Sequence, residues 1–258
     1  MSKSLDKLNK ARYNYSSLFV MQDIQAPRST ALHPCAGQIS TGVTWDQRRT
    51  ADTVDRWKRL LELGAPRRFP ARSEILREGE RPRQLFLIDD GLVLLTRGVS
   101  DGGEGIMAMR LPGQFVCAWA WGLHMSYPVS ARTAVPSRIH VIDEDEFQRR
   151  KRTDPEISEL FEEALHFEIS VSCAFIADMQ VLRPEDRFQH LLTLFASLQG
   201  QAAQRGPVRL TMPLRDDEIA GVLGISQRHF ARLRQKLYRA GTIRRVGPRT
   251  LLLRTRES

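Results

Sequence analysis

The chain has 258 residues, 41% hydrophobic and 27% charged, with a formal charge of +9. That is enough apolar material for two compact domains, and it excludes whole-chain disorder. No stretch approaches the roughly 18 uninterrupted apolar residues of a membrane span, and Met1-Ser-Lys-Ser-Leu-Asp has no apolar run of the kind a secretory signal needs, so a cytoplasmic protein is expected.

Cys35, Cys117 and Cys173 stand far apart with no Cys-x-x-Cys spacing, which argues against a disulfide framework or zinc finger and predicts reduced thiols. Residues 183–258 hold 15 Lys+Arg and 6 Asp+Glu, whereas residues 1–182 hold 24 of each. The whole positive excess therefore sits in one C-terminal segment. A basic domain behind a neutral one predicts a nucleic-acid-binding end, because fixed cations displace the counterions condensed on phosphates. A solubilising basic surface is the plainer alternative.

Residues 1–43 mix Lys, Ser, Asn and Gln with Tyr13, Tyr15 and Phe19, and a mobile extension is expected there. Residues 44–150 read as a β-barrel with a leading helix. Val54, Trp57, Leu60 and Leu61 recur at helical spacing before Gly64 and Pro66. From Arg68 to Ile142, short apolar or alternating runs alternate with Gly and Pro at intervals of about ten residues, the pattern of an antiparallel β-roll or jelly roll. Glu74-Ile-Leu-Arg, Gln84-Leu-Phe-Leu-Ile, Leu92-Val-Leu-Leu-Thr, Ile106-Met-Ala-Met-Arg, Thr133-Ala-Val and Arg138-Ile-His-Val-Ile are the predicted strands, with a hairpin turn at Asp101-Gly-Gly.

Asp154-Pro155-Glu156 supplies a cap, a first-turn proline and an acidic first turn, so a helix starts there. Ile157, Leu160, Ala164, Phe167, Val171, Ala174, Asp178 and Val181 then follow 3,4 spacing, which predicts a dimerisation helix over 151–182. Phe161, Leu165 and Phe175 form a second stripe for the barrel, and Asp178 is the odd member of the seam. Arg183-Pro184 breaks this helix and marks a hinge. The next helix turns Phe188, Leu191, Leu192, Phe195 and Leu198 inward.

Within residues 183–258, the run LRDDEIAGVLGISQRHFARLRQKLYRAGTI from Leu214 to Ile243 reads as helix-turn-helix. Ile219, Ala220 and Leu223 point inward, Gly224 permits the turn, Ile225 fills the joint and Ser226 caps a second helix with Phe230, Leu233 and Leu237 inward. Gln227, Arg228, His229, Arg232, Arg234, Lys236 and Arg239 are left on its outer side. Thr242 to Arg254 follows as a basic two-stranded wing carrying Arg244, Arg245 and Arg249. A protein-binding winged helix is the alternative reading of this segment.

Over residues 67–254 the chain resembles the Crp/Fnr transcription regulators. The likeness rests on Gly79-Glu80, Leu85-Phe86-Leu-Ile88, Gly91-Leu-Val93, the Pro112-Gly113-Gln114-Phe115 turn, the long helix and the winged helix in that order. The resemblance implies an α+β homodimer, a sensor barrel, and two recognition helices in successive major grooves of double-stranded DNA. It implies a near-palindromic operator with half-sites about 34 Å apart. RNA polymerase is a further expected partner.

Cyclic-nucleotide-binding members resemble one another in a Gly-Glu pair and an Arg-Ser/Thr-Ala. Here Val116-Cys117-Ala118-Trp119 replaces the first, and Arg132-Thr133-Ala134 falls late for the second, so cyclic AMP is disfavoured. An iron–sulfur cluster is disfavoured too, since four thiolates are the usual requirement. Cys117, Trp119, Trp121, His124, Met125 and Tyr127 form the candidate sensor pocket. Haem bound through Cys117, His124 or Met125, another small apolar or redox ligand, or no ligand at all remain open, and ordinary core packing of Cys and Met is the simpler account. A metal-dependent jelly-roll enzyme would need clustered histidines, where this barrel offers isolated His124 and His140.

Overall fold

The computed structural model describes residues 58–98, 103–123, 125–199 and 207–253. The extension expected at 1–43, Trp57, the Asp101-Gly102 turn and His124 lie outside the described residues. The leading helix is seen in its last turn, residues 58–61.

The architecture is α+β, as expected. Strands β1 (Ala65–Phe69), β7 (Ser137–Asp143) and β3 (Gln84–Asp90) form one antiparallel sheet, ordered β1-β7-β3. A second sheet orders β2 (Glu74–Leu76), β6 (Ser130–Thr133), β4 (Val93–Gly98) and β5 (Glu104–Arg110) as β2-β6-β4-β5. Strand β3 is apolar from Leu85 to Ile88 because both its faces are covered there. Phe86 and Ile88 meet Val93, Leu95, Ala131 and Ile139 between the sheets, while Leu85 and Leu87 pack outward against Phe147, Ile157, Leu160 and Phe161.

The outward layer is helical. Short α1 (Ala118–Gly122) follows Cys117, and α2 (Glu144–Thr153) is capped by the Asp143 carboxylate, which accepts from the N–H of Asp145 at 3.0 Å. Helix α3 (Pro155–Val181) begins as its sequence predicts, with the Asp154 carboxylate accepting from Glu156 N–H at 3.1 Å. Phe161 sits among Phe115, Trp121 and Phe147 in edge-to-face contacts, the geometry aromatic quadrupoles favour.

Part of the expected seam is turned to its own chain. Ile157 and Leu160 are 0% exposed and Ala164 is 6% exposed within their own chain, so these side chains are unavailable to a second one. Ala174 is buried as well, Phe167, Val171 and Asp178 are half-buried, and Val181 is exposed at the helix end. A 3,4 pattern reports an apolar stripe without saying what faces it. Here that stripe merges with Phe161, Leu165 and Phe175 into one broad inward face.

Further along α3, Glu168 reaches into the barrel and faces Arg110 of β5 at 3.2 Å, both side chains under 5% exposed. The Ser172 hydroxyl accepts from the same guanidinium at 3.2 Å. Burial pushes the Glu168 carboxyl above its ordinary range, while Arg110 and the N–H groups of Ala118 and Cys117 pull it back. Beyond α3, Pro184 opens α4 (Pro184–Leu198). The Arg187 guanidinium donates to the carbonyls of Met179 and Leu182 at the end of α3, and to that of Leu223 at 2.8 Å.

A buried pair of this kind carries a large desolvation cost, and losing one partner strands the other charge. Glu168→Leu alone should therefore destabilise the fold by about 3–5 kcal/mol, while Arg110→Met with Glu168→Leu should be neutral or gain about 1–4 kcal/mol. Urea denaturation followed by circular dichroism reads both.

Candidate nucleic-acid interface

The C-terminal domain builds its surface on helices α5 (Asp216–Val222) and α6 (Gln227–Arg239). Glu218, 2% exposed, accepts from the N–H of Arg215 at 2.9 Å and closes the first turn of α5. Gly224 takes φ +64 at the turn, and a Cβ there would lie 2.2 Å from the Met179 methyl, so both conformation and space call for glycine. Ile225 packs partly buried against the domain core. Ser226 caps α6 as its position predicts, its hydroxyl accepting from His229 N–H at 3.2 Å.

Phe230, Leu233 and Leu237 form the inward stripe of α6, which at 100° per residue places Arg228, Ala231, Arg232, Gln235 and Arg239 on the opposite side. All five are exposed, as are Gln227 and His229 on the flanks. Two of the expected contacts are engaged elsewhere. Arg234 turns back to an ion pair with Asp216 and lies 5.5 Å over the Phe230 ring. The Lys236 ammonium stays exposed, 2.9 Å from Glu185 of α4, and holds that carboxyl below its ordinary range. Gln235 is an outward polar side chain that attention to charge alone passes over; the angular position of residue 235 finds it.

The wing has three strands rather than two. Strand β10 (Thr250–Leu253) pairs with β9 (Ile243–Arg245) on one side and with β8 (Val208–Thr211) on the other. Alternation along β8, with Val208 and Leu210 buried and Arg209 and Thr211 exposed, was its signal in the sequence. Arg244 is exposed on β9. Arg245 donates to the carbonyls of Gly247 and Pro248 and shapes the β9–β10 turn, while Arg249 donates to the Pro213 carbonyl.

Residues 66–154 match the cyclic nucleotide-binding domain family. Across 90% of this chain and 92% of the relative, the sequence is 24% identical to the nitrogen fixation regulation protein FixK of Azorhizobium caulinodans. The barrel is thus similar to a cyclic nucleotide-binding domain, and the chain as a whole is similar to FixK. Among solved folds, FixK2 from Bradyrhizobium japonicum superposes with a TM-score of 0.60 at 18% identity, covering 75% of this chain and 93% of that one. The c-di-GMP responsive regulator CLP of Xanthomonas campestris superposes at 0.63 and 20% identity, covering 78% and 99%.

The expected sensor residues do not line one pocket. Cys117 and Tyr127 are buried between the two sheets with Trp119 partly covered beside them, whereas Trp121 lies on the other side of the sheet against Phe147 and Phe161. Met125 is 49% exposed. Among the described residues, no three His, Cys, Asp or Glu side chains gather as a bound metal would require. His140 instead sets its Nδ1 2.6 Å from the Leu61 carbonyl.

Arg132 sits on the outer face of β6, since Ala131 and Thr133 alternate inward. It donates to Glu104 at 3.1 Å and to Glu218 of α5 at 2.9 Å, linking barrel to winged helix. Ile106 of β5 packs so closely on Gly221 of α5 that a Cβ there would lie 2.9 Å from its side chain.

Cys117 holds a left-handed φ of 56, a strained conformation for a residue with a Cβ. Burial pushes its thiol up to about 12, with Glu168 adding to the rise and Arg110 opposing it. The thiolate is the reactive form, so at pH 8 Cys117 should resist iodoacetamide in the folded protein and react once guanidinium unfolds the chain. Mass spectrometry of the Cys117 peptide before and after unfolding measures this.

Proposed function

We propose that the chain is a homodimeric transcription regulator whose α6 helices read a near-palindromic operator, with RNA polymerase as a further partner. The carrying observation is the outer face of α6, where Arg228, Arg232, Gln235 and Arg239 are exposed opposite an apolar stripe. Arg can pair bidentately with guanine O6 and N7, and Gln with adenine. The positive excess of residues 183–258 supplies phosphate attraction around that face, with Arg244 of the wing and His229 beside it.

The dimer seam in this reading runs along the other side of α3. Glu162, His166, Ile169, Cys173, Ile176 and Gln180 follow 4,3,4,3,4 spacing and are all exposed, Ile169 at 54% and Ile176 at 60%. Two large aliphatic side chains in register on an otherwise polar helix surface fit a second copy of the same helix. Ile169→Asp with Ile176→Asp should leave a folded monomer, read by light scattering at micromolar concentration.

The barrel of this regulator does not take cyclic AMP. Arg132 is committed to Glu104 and Glu218, and Val116-Cys117-Ala118-Trp119 offers no carboxylate to a ribose hydroxyl. Titration with cyclic AMP, followed by calorimetry, should give no saturable heat.

Operator reading is tested at Arg228. Arg228→Ala should lose about 1–3 kcal/mol on the preferred site and relax the preference at one base pair per half-site. Binding-site selection with both proteins checks it, and uniform weakening over all sequences would make Arg228 a phosphate contact instead.

A further inference from the structure

The arginines that do not face outward on α6 converge elsewhere. A cleft of about 370 Å³ opens where the β1–β2 loop of the barrel meets the wing and the flank of α6. Arg72 from the barrel and Arg215, Arg234, Arg245 and Arg249 from the winged helix line it, with Asp216 as the acidic side chain among them. Leu214, Phe230 and Leu251, all buried, contribute an apolar floor, and Tyr238 of α6 stands half-buried at its side.

The protein's own groups neutralise only part of this charge. Arg234 pairs with Asp216, and Arg215 reaches Asp217 at 2.8 Å. Arg245 and Arg249 donate to backbone carbonyls, which carry no formal charge. The Arg72 side chain has no hydrogen-bond or ion-pair partner among the described residues, although its loop is fixed by its own N–H donating to the Thr133 carbonyl at 2.8 Å. Three guanidinium groups from two domains thus face one concavity without a counter-charge. Like charges gathered against low-dielectric walls focus a positive potential, and guanidinium forks match phosphate oxygens bidentately. The volume falls in the range of small-molecule sites, and an apolar floor with a few convergent polar groups is their usual composition.

We propose that this cleft binds a nucleotide-sized anion carrying two or more phosphate charges, held by Arg72 on one side and Arg245 and Arg249 on the other. The anion then bridges the barrel to the wing. Because the cleft lies on the flank of α6 that carries Arg234 and Tyr238, it is separate from the outward face of Arg228, Arg232 and Arg239. Ligand binding here does not depend on whether that outward face reads DNA.

The test titrates ATP and inorganic pyrophosphate into the full-length protein without DNA, by calorimetry. Both should saturate at one site per chain with a dissociation constant below about 1 mM. Arg72→Gln and Arg245→Gln should each weaken binding about five-fold or more, Arg72→Lys should recover part of the loss, and Arg152→Gln, an equal charge change on exposed α2, should have no effect. Thermal melts of each variant confirm the fold. If neither probe saturates, or if Arg72→Gln binds as tightly as the parent protein, the proposal is overturned. If neither probe binds while Arg72→Gln lowers DNA affinity and flattens its salt dependence, the phosphate belongs to the DNA backbone, which also overturns it.

Discussion

The contact between Arg110 and Glu168 governs where everything after the barrel lies. Two charges removed from water gain little net stability even when they face each other. What the pair does supply is register. A one-residue slip of α3 would rotate Glu168 by about 100° and leave Arg110 buried and alone, so α3 has one angular setting on the barrel. That setting determines which stripe of α3 is inward, which is left exposed, and the direction in which the helix delivers the chain to the winged domain.

The barrel and the winged helix are joined more intimately than by a hinge. Leu92, just before β4, and Leu94 on the outer face of β4 belong to the same apolar cluster as Phe188, Phe195, Ile219 and Leu223. Arg132 lies over this cluster and donates to Glu218, a residue that also closes the first turn of α5. An element at the base of the winged-helix domain is therefore stabilised partly by the barrel. At this junction the two domains share one apolar cluster with a polar clasp at its edge, and Ile106 of the barrel's second sheet packs directly on Gly221 of α5.

Local chemistry made much of this legible in the sequence. The caps at Asp154 and Ser226, the proline openings of α3 and α4, the glycine at 224 and the apolar runs of β3 and β7 each carry their own structural instruction. The winged helix was legible as a motif because its inward and outward residues alternate with one clear period. What could not be read was partnership across the fold. Ile157, Leu160 and Ala164 of α3 turn to their own barrel, which their spacing does not tell, because periodicity finds a stripe and not its neighbour. Arg234 and Lys236 looked like DNA contacts because charge is visible in sequence, while Asp216 and Glu185 become their partners only in three dimensions. Cys117, Trp121 and Tyr127 seemed one pocket because they are close along the chain, yet Trp121 emerges on the far side of the sheet. Strand β8 has only four residues and helix α2 buries a single side chain, Phe147, so neither signal rose above its surroundings.

Arg187 ties the carbonyls of Met179, Leu182 and Leu223 into one knot, which makes the junction between α3 and the helix-turn-helix a geared joint rather than a free swivel. Any roll of the last turn of α3 about its axis must be passed to the turn that precedes α6. Helix α6 has 13 residues. Over a lever of about 20 Å, the length that 1.5 Å per residue gives such a helix, a roll of about 10° moves the far end by about 3.5 Å. That displacement is about one base-pair step of DNA, whose rise is roughly 3.4 Å. A small rotation of the last turn of α3 would thus shift the far end of α6 by a distance on that scale.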